Sequence, residues 1–171
     1  APPPRRANAF YGTPEIDGER DAVWLQKTMP ANINTPLFAW QGATGSVRLL
    51  WDESYMYAYL EIKDSVLNAS SPNYHEQDSV EIFLDEQNTK RDYYTDLAGQ
   101  YRVNYEGLLT FGTVPTEKGV KAAAKVTGNG YVIEIAIPLT NTPSAGMVFG
   151  FDAQINDGNA NGSRQSVMKF H

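Results

Sequence analysis

The sequence predicts an all-β domain, a two-sheet antiparallel β-sandwich of jelly-roll-like form. Three observations carry this. Segment after segment alternates apolar and polar residues with a period of two, the pattern of strands with one buried face. Turn formers break these runs at short intervals, with 14 glycines and 10 prolines among 171 residues. The 10 tyrosines, 7 phenylalanines and 3 tryptophans suit pleated, half-buried surfaces. Eight or more strands in a chain of one-domain length fold as two packed layers.

The elements follow in order. Residues 1–9, with three consecutive prolines before Arg5 and Arg6, read as a stiff linker or a disordered terminus, and the domain runs over 10–171. Tyr11 to Gly18 is rich in turn formers, and Asp21 to Lys27 makes one helical turn anchored by Trp24. Val47–Trp51 and Tyr55–Lys63 form a hairpin across Asp52-Glu53-Ser54. In the second of these, Met56, Ala58, Leu60 and Ile62 share one face, and Tyr55, Tyr57, Tyr59 and Glu61 the other. Glu76–Asp85 is the strand around which the rest is organised: Val80, Ile82 and Leu84 alternate with Ser79, Glu81 and Phe83. Gln100–Glu106 alternates likewise, with Leu108–Thr110 beyond Gly107 as its hairpin partner. Gly128-Asn129-Gly130 joins Val120–Thr127 to Tyr131–Ile137. Val148–Asn156, a loop over Asp157–Gly162 and a last strand over Ser163–Phe170 complete the chain.

Composition narrows the function. A net charge of -6 and a pI near 4.9 exclude a nucleic-acid partner, which needs a basic surface. The absence of cysteine excludes disulfides and thiolate metal sites. No apolar run approaches the roughly 18 residues of a membrane span. No signal peptide pattern opens the chain, as expected of a mature or excised segment. The two histidines, His75 and His171, lie outside any nucleophile-elbow context, and nothing among the 20 acidic residues singles out a glycosidase pair.

What remains is a set of long polar side chains on strand faces: Glu81, Arg102, Asn104, Gln154 and Asn156, with Tyr55, Tyr57 and Tyr59 joining if the faces share a sheet. Tyr74 and His75 bring rings to the loop before Glu81. Planar carboxylate, guanidinium and amide groups bond sugar hydroxyls, and rings stack on pyranose faces, so the set suits a glycan. A solvated sheet face with a Glu81–Arg102 ion pair accounts for the same pattern. Asp17, Asp64, Asp78 and Asp157 lie at strand ends and turns, where they hold a calcium ion or cap their own backbone. Met168 and His75 are side chains of types that can ligate a haem iron.

These residues resemble a family 9 carbohydrate-binding module, the kind attached to bacterial xylanases. The resemblance rests on Tyr11-Gly12-Thr13-Pro14, Ile16-Asp17-Gly18, Trp24, Val47 to Asp52, Lys63 to Asn68, Glu76 to Asp85, Tyr101 to Tyr105, Phe111-Gly112-Thr113 and Gln154 to Asp157. It implies a non-catalytic β-sandwich with bound calcium that recognises the ends of β-glucan, cellulose and xylan chains, outside the cell and in cis with a glycoside hydrolase. In the family, a Glu and an Arg bond the terminal sugar between two tryptophans. Glu81 and Arg102 match the polar pair. His75, beside Tyr74, stands at the first tryptophan position, and the second falls at or near Phe170. Two other readings stand beside this one: a haem-binding redox sandwich, and a structural sandwich that has lost glycan binding.

Overall fold

The alternating segments pair into two six-stranded sheets in the computed structural model, which describes residues 3–38 and 42–171. The strands are β1 (Ala9–Tyr11), β2 (Ala31–Ile33), β3 (Thr35–Phe38), β4 (Thr44–Trp51), β5 (Tyr55–Lys63), β6 (Ser79–Asp85), β7 (Ala98–Asn104), β8 (Leu109–Phe111), β9 (Lys121–Thr127), β10 (Gly130–Pro138), β11 (Gly150–Gly158) and β12 (Arg164–Lys169). One helix, α1 (Ala22–Lys27), and a 3-10 turn, Tyr74–Glu76, complete the regular elements among the described residues. The first sheet runs β1-β4-β5-β10-β9, with β2 also paired to β4. The second runs β3-β12-β11-β6-β7-β8.

Period-two patterning decides what lies between the sheets. Val47, Leu49, Leu60, Ile62, Ile133 and Ile135 of the first sheet meet Val80, Ile82, Leu84, Val103 and Ile155 of the second, all buried. Each such side chain contributes on the order of 2 kcal/mol by leaving water. Turn chemistry sets the register. Asp52 accepts the amides of Ser54 and Tyr55 at 2.8 and 2.9 Å and fixes the β4–β5 hairpin. Gly128 and Asn129 form a two-residue loop, so that Thr127 pairs directly with Gly130.

Four features differ from the sequence reading. β1 lies parallel to β4, so the sandwich is not wholly antiparallel. β1, β2 and β3 went unread because runs of three or four residues are too short to display a period. Asp157 and Gly158 belong to β11, with a register shift between them, rather than to a loop. Within the segment 1–9, expected as a linker or disordered terminus, Arg5 donates to the Phe170 carbonyl at 2.6 Å and to Asn34 at 3.2 Å, and Ala7 and Ala9 pack on the core. The first two residues of that segment lie outside the described residues.

The tyrosines of β5 are also placed differently from the expected shared surface. They sit on the first sheet, across the sandwich from Glu81. Tyr57 and Tyr59 are buried beneath α1, where Trp24 packs 5.6 Å from Tyr59. The Trp24 indole N–H donates to Glu134 at 3.0 Å, and the amides of Gly18 and Asp17 donate to the same carboxylate at 2.8 and 3.2 Å. A second, smaller core thus closes one half of the outer face of this sheet.

Candidate functional site

Strand pairing brings the predicted polar residues of three strands into one line. Arg102 of β7 lies opposite Glu81 of β6, and Glu81 lies opposite Gln154 of β11. All three project from the outer face of the second sheet, because Val80, Ile82, Val103 and Ile155 take the inner one. Glu81 is only 2% exposed, and four donors surround its carboxylate. Oε1 accepts from Gln100 Nε2 and from Arg102 Nη2, the latter at 3.1 Å. Oε2 accepts from Gln154 Nε2 at 3.2 Å and Asn156 Nδ2 at 2.6 Å. Leaving such a charge unpaired would be costly, so the arrangement holds together as a unit.

The cluster opens toward solvent at the half-buried side chains of Gln100 and Arg102. Arg102 bonds Thr110 through Nη1 at 3.3 Å, and its Nε is buried with no partner among the described residues. Lys169 lies opposite Gln154 on β12, 2.7 Å from Asp152, with its ammonium 5.6 Å from the Phe83 ring centre. Phe83 itself pairs with Asp152 on one side and Gln100 on the other, so planar polar residues flank this ring along the sheet.

The other predicted site residues are placed as follows. Asn104 is buried and serves the β7–β8 turn: its side-chain Oδ1 accepts the amides of Glu106 and Leu108, and its Nδ2 donates to Gln77. Tyr74 and His75 form the exposed 3-10 turn just before β6. Phe170 is a correction. It is 2% exposed, its ring packs 5.6 Å from Phe151 in the core, and the Arg5 guanidinium lies 4.7 Å from its centre, so it offers no open face. It follows β12, where the alternation still directs apolar side chains inward. Met168, opposite Ile155, is buried in the same core while His75 is exposed, so the two do not make a haem pair. Gln100 was missed. Its signal is position alone: it lies two residues before Arg102 and so shares its face.

Three of the four predicted metal ligands meet. Asp64, Asp78 and Asp157 each present a carboxylate oxygen, all within 4.8 Å of one another. Asp78 bridges the Gly158 amide at 2.8 Å and the Asn68 amide at 2.6 Å, and Asp157 accepts the Ala43 amide at 2.7 Å. Burial and the adjacent Asp64 push Asp78 up to about 8, and burial also raises Asp64. One oxygen of Asp64 and the Tyr131 hydroxyl are buried without partners among the described residues. An all-oxygen cluster of mutually repelling carboxylates with an orphaned acceptor fits a hard divalent cation. Asp17 is the correction here. It is exposed in the turn between β1 and α1, which it caps itself by accepting the Glu19 amide at 2.8 Å, and it is not among the three carboxylates that meet.

A concavity of about 880 Å³ lies elsewhere, on the outer face of the first sheet. Four of its charged side chains pair, Arg20 with Glu61 and Lys125 with Glu19, and the two rings that line it, Tyr59 and Tyr131, are buried. It reads as a solvated sheet face.

Comparison with known proteins decides the family. Residues 16–171 match the model described as carbohydrate family 9 binding domain-like. The chain belongs to this family. Two solved structures of family 9 modules from Caldicellulosiruptor kristjanssonii share its fold at 30% identity. One, in complex with cellotriose, has a TM-score of 0.91 and is aligned over 97% of this chain and 84% of that one. The other, with glucose, has a TM-score of 0.89 over 95% and 83%. Endo-1,4-beta-xylanase A of Thermoanaerobacterium saccharolyticum is 44% identical over 96% of this chain, and exoglucanase XynX of Acetivibrio thermocellus is 43% identical over 98%. This family 9 module spans only 14% and 16% of those two enzymes, and what it matches is a binding domain rather than a catalytic one. No helix is long and apolar enough to cross a membrane among the described residues.

Proposed function

We propose that this module binds the ends of β-glucan, cellulose or xylan chains and their oligosaccharides, and holds an attached glycoside hydrolase on plant cell-wall polysaccharide outside the cell. The observation that carries the reading is the Glu81 carboxylate, which organises Gln100, Arg102, Gln154 and Asn156 on one sheet face. The solved family 9 modules with cellotriose and glucose, and the xylanase relatives, support the substrate class and the tether. Preorganised planar groups lose little entropy on meeting a sugar, so a small number of them suffices for selectivity. Tyr74 and His75 are the nearest ring-bearing segment on the chain before β6 and supply one contact surface.

Calcium belongs to the same proposal as a structural ion. Asp64, Asp78 and Asp157 would hold it, and it would neutralise carboxylates that otherwise repel. These residues join the segments before β6 to the end of β11, so the ion would brace the same edge that carries Tyr74 and His75.

The test is retention on insoluble cellulose and xylan, together with calorimetric titration by cellobiose and xylobiose. Retention by wild type and loss in Glu81→Gln support the reading. Equal retention of both proteins favours a structural sandwich instead.

A further inference from the structure

The segment between β6 and β7 returns a ring to the Glu81 cluster. Its ends are fixed by the Glu86 amide on the Leu97 carbonyl and by Asp85, which accepts both the amide and the hydroxyl of Thr89. Within it, two adjacent tyrosines have different surroundings. Tyr93 is 58% exposed and is held by Arg91, which donates to its hydroxyl at 2.7 Å and lies 5.4 Å from its ring centre. Tyr94 is 41% exposed and turns the other way, toward the cluster. Its hydroxyl donates to Gln100 Oε1 at 3.4 Å, and the same Gln100 amide donates to Glu81. Burial and the Glu81 charge both raise its pKa, which agrees with a phenol lodged beside that carboxylate.

We propose that Tyr94 is a sugar-contacting wall of this site, its ring taking the apolar face of a pyranose whose hydroxyls bond Gln100 and Arg102. The inference rests on the carbohydrate reading above. A pyranose has hydroxyls around its edge and C–H groups on its faces. Polar groups alone exchange one set of hydrogen bonds for those of water, with little net gain. A ring beside them removes apolar surface from water and fixes the orientation. Tyr94 supplies that ring one side chain away from the donor cluster, while Tyr74 and His75 stand before the opposite end of β6. The hydroxyl bond is long, so the ring carries the contact and the hydroxyl orients it.

Titration with cellobiose separates the possibilities, using wild type, Tyr94→Ala, Tyr94→Phe and Tyr93→Ala, each with its melting temperature recorded. Tyr94→Ala is expected to bind about tenfold more weakly with an unchanged melt, Tyr94→Phe within about threefold of wild type, and Tyr93→Ala within about twofold. Tyr94→Ala binding as tightly as wild type would overturn the role of Tyr94 and leave the carbohydrate reading intact. Tyr94→Phe as weak as Tyr94→Ala would also overturn it, by placing the contact on the hydroxyl. A wild type that gives no heat with cellobiose or xylobiose removes the carbohydrate reading and this inference with it.

Discussion

Glu81 and Arg102 face each other across β6 and β7 with 3.1 Å between Oε1 and Nη2, the carboxylate buried and the arginine side chain 14% exposed. The pair joins an enclosed network to an exposed edge. Glu81→Gln keeps the shape but replaces an acceptor oxygen by an amide that must face two donors. We expect binding to cellobiose to weaken by at least about tenfold and stability to fall by about 1–3 kcal/mol. Titration and urea unfolding check the two effects separately.

Arg102→Lys retains the charge but loses the planar fork that reaches Glu81 and Thr110 together. Sugar affinity should drop by about tenfold while the fold survives, because the Lys stem still covers the sheet. Titration of the variant beside its circular dichroism spectrum decides this.

Chelation should lower the melting temperature. A cation at a hundred times its dissociation constant adds about 3 kcal/mol to stability, several degrees for a domain of this size. The calcium effect should disappear in Asp78→Asn. Calcium affinity should also increase as pH rises toward 8, because Asp78 binds a proton below that value. Thermal melts in calcium and in chelator, at several pH values, test both statements.

Glu134 gives a separate pH signature. Burial raises it from the ordinary value of 4.5 to about 7, although Trp24, Gly18 and Asp17 all donate to it. The folded protein therefore keeps a proton that the unfolded chain has already lost. Its contribution is fully present below 4.5 and is lost as pH rises through 7. Relative to Glu134→Gln, wild type should lose up to about 3 kcal/mol across that window. Urea unfolding of both proteins with calcium saturating throughout isolates the effect.

The second core beneath α1 depends on Trp24, which is fully buried against Tyr59 and bonded to Glu134. Trp24→Ala should cost about 3–5 kcal/mol, from the cavity and from one donor lost to a buried carboxylate. Sugar affinity of the folded fraction should stay near wild type, since Trp24 packs on the opposite sheet.

The sequence revealed what a period of two can reveal. Val80, Ile82 and Leu84 point inward, so Glu81 points outward, and the same parity places Arg102 and Gln154 on the outer face. Parity does not say which sheet a strand joins, and that is why Tyr55, Tyr57 and Tyr59 read as possible neighbours of Glu81 when they lie across the sandwich. Residue type can also mislead at a strand end: Phe170 resembles a stacking ring in sequence and is a core side chain in space. Asp17 and Asp78 look alike as turn aspartates, but only Asp78 lies where β6 and β11 converge on Asp64. Tyr94 carried no pattern at all, because its position depends on how a loop returns rather than on any repeat.

The most direct test of the central claim is a crystal structure of the protein soaked with cellobiose in calcium. One glucose unit is expected on the outer face of the β6–β7–β11 region, its hydroxyls within hydrogen-bond distance of Arg102 and Gln100. Sugar seated in the groove of the first sheet, or no sugar at concentrations that load other family 9 modules, would contradict it.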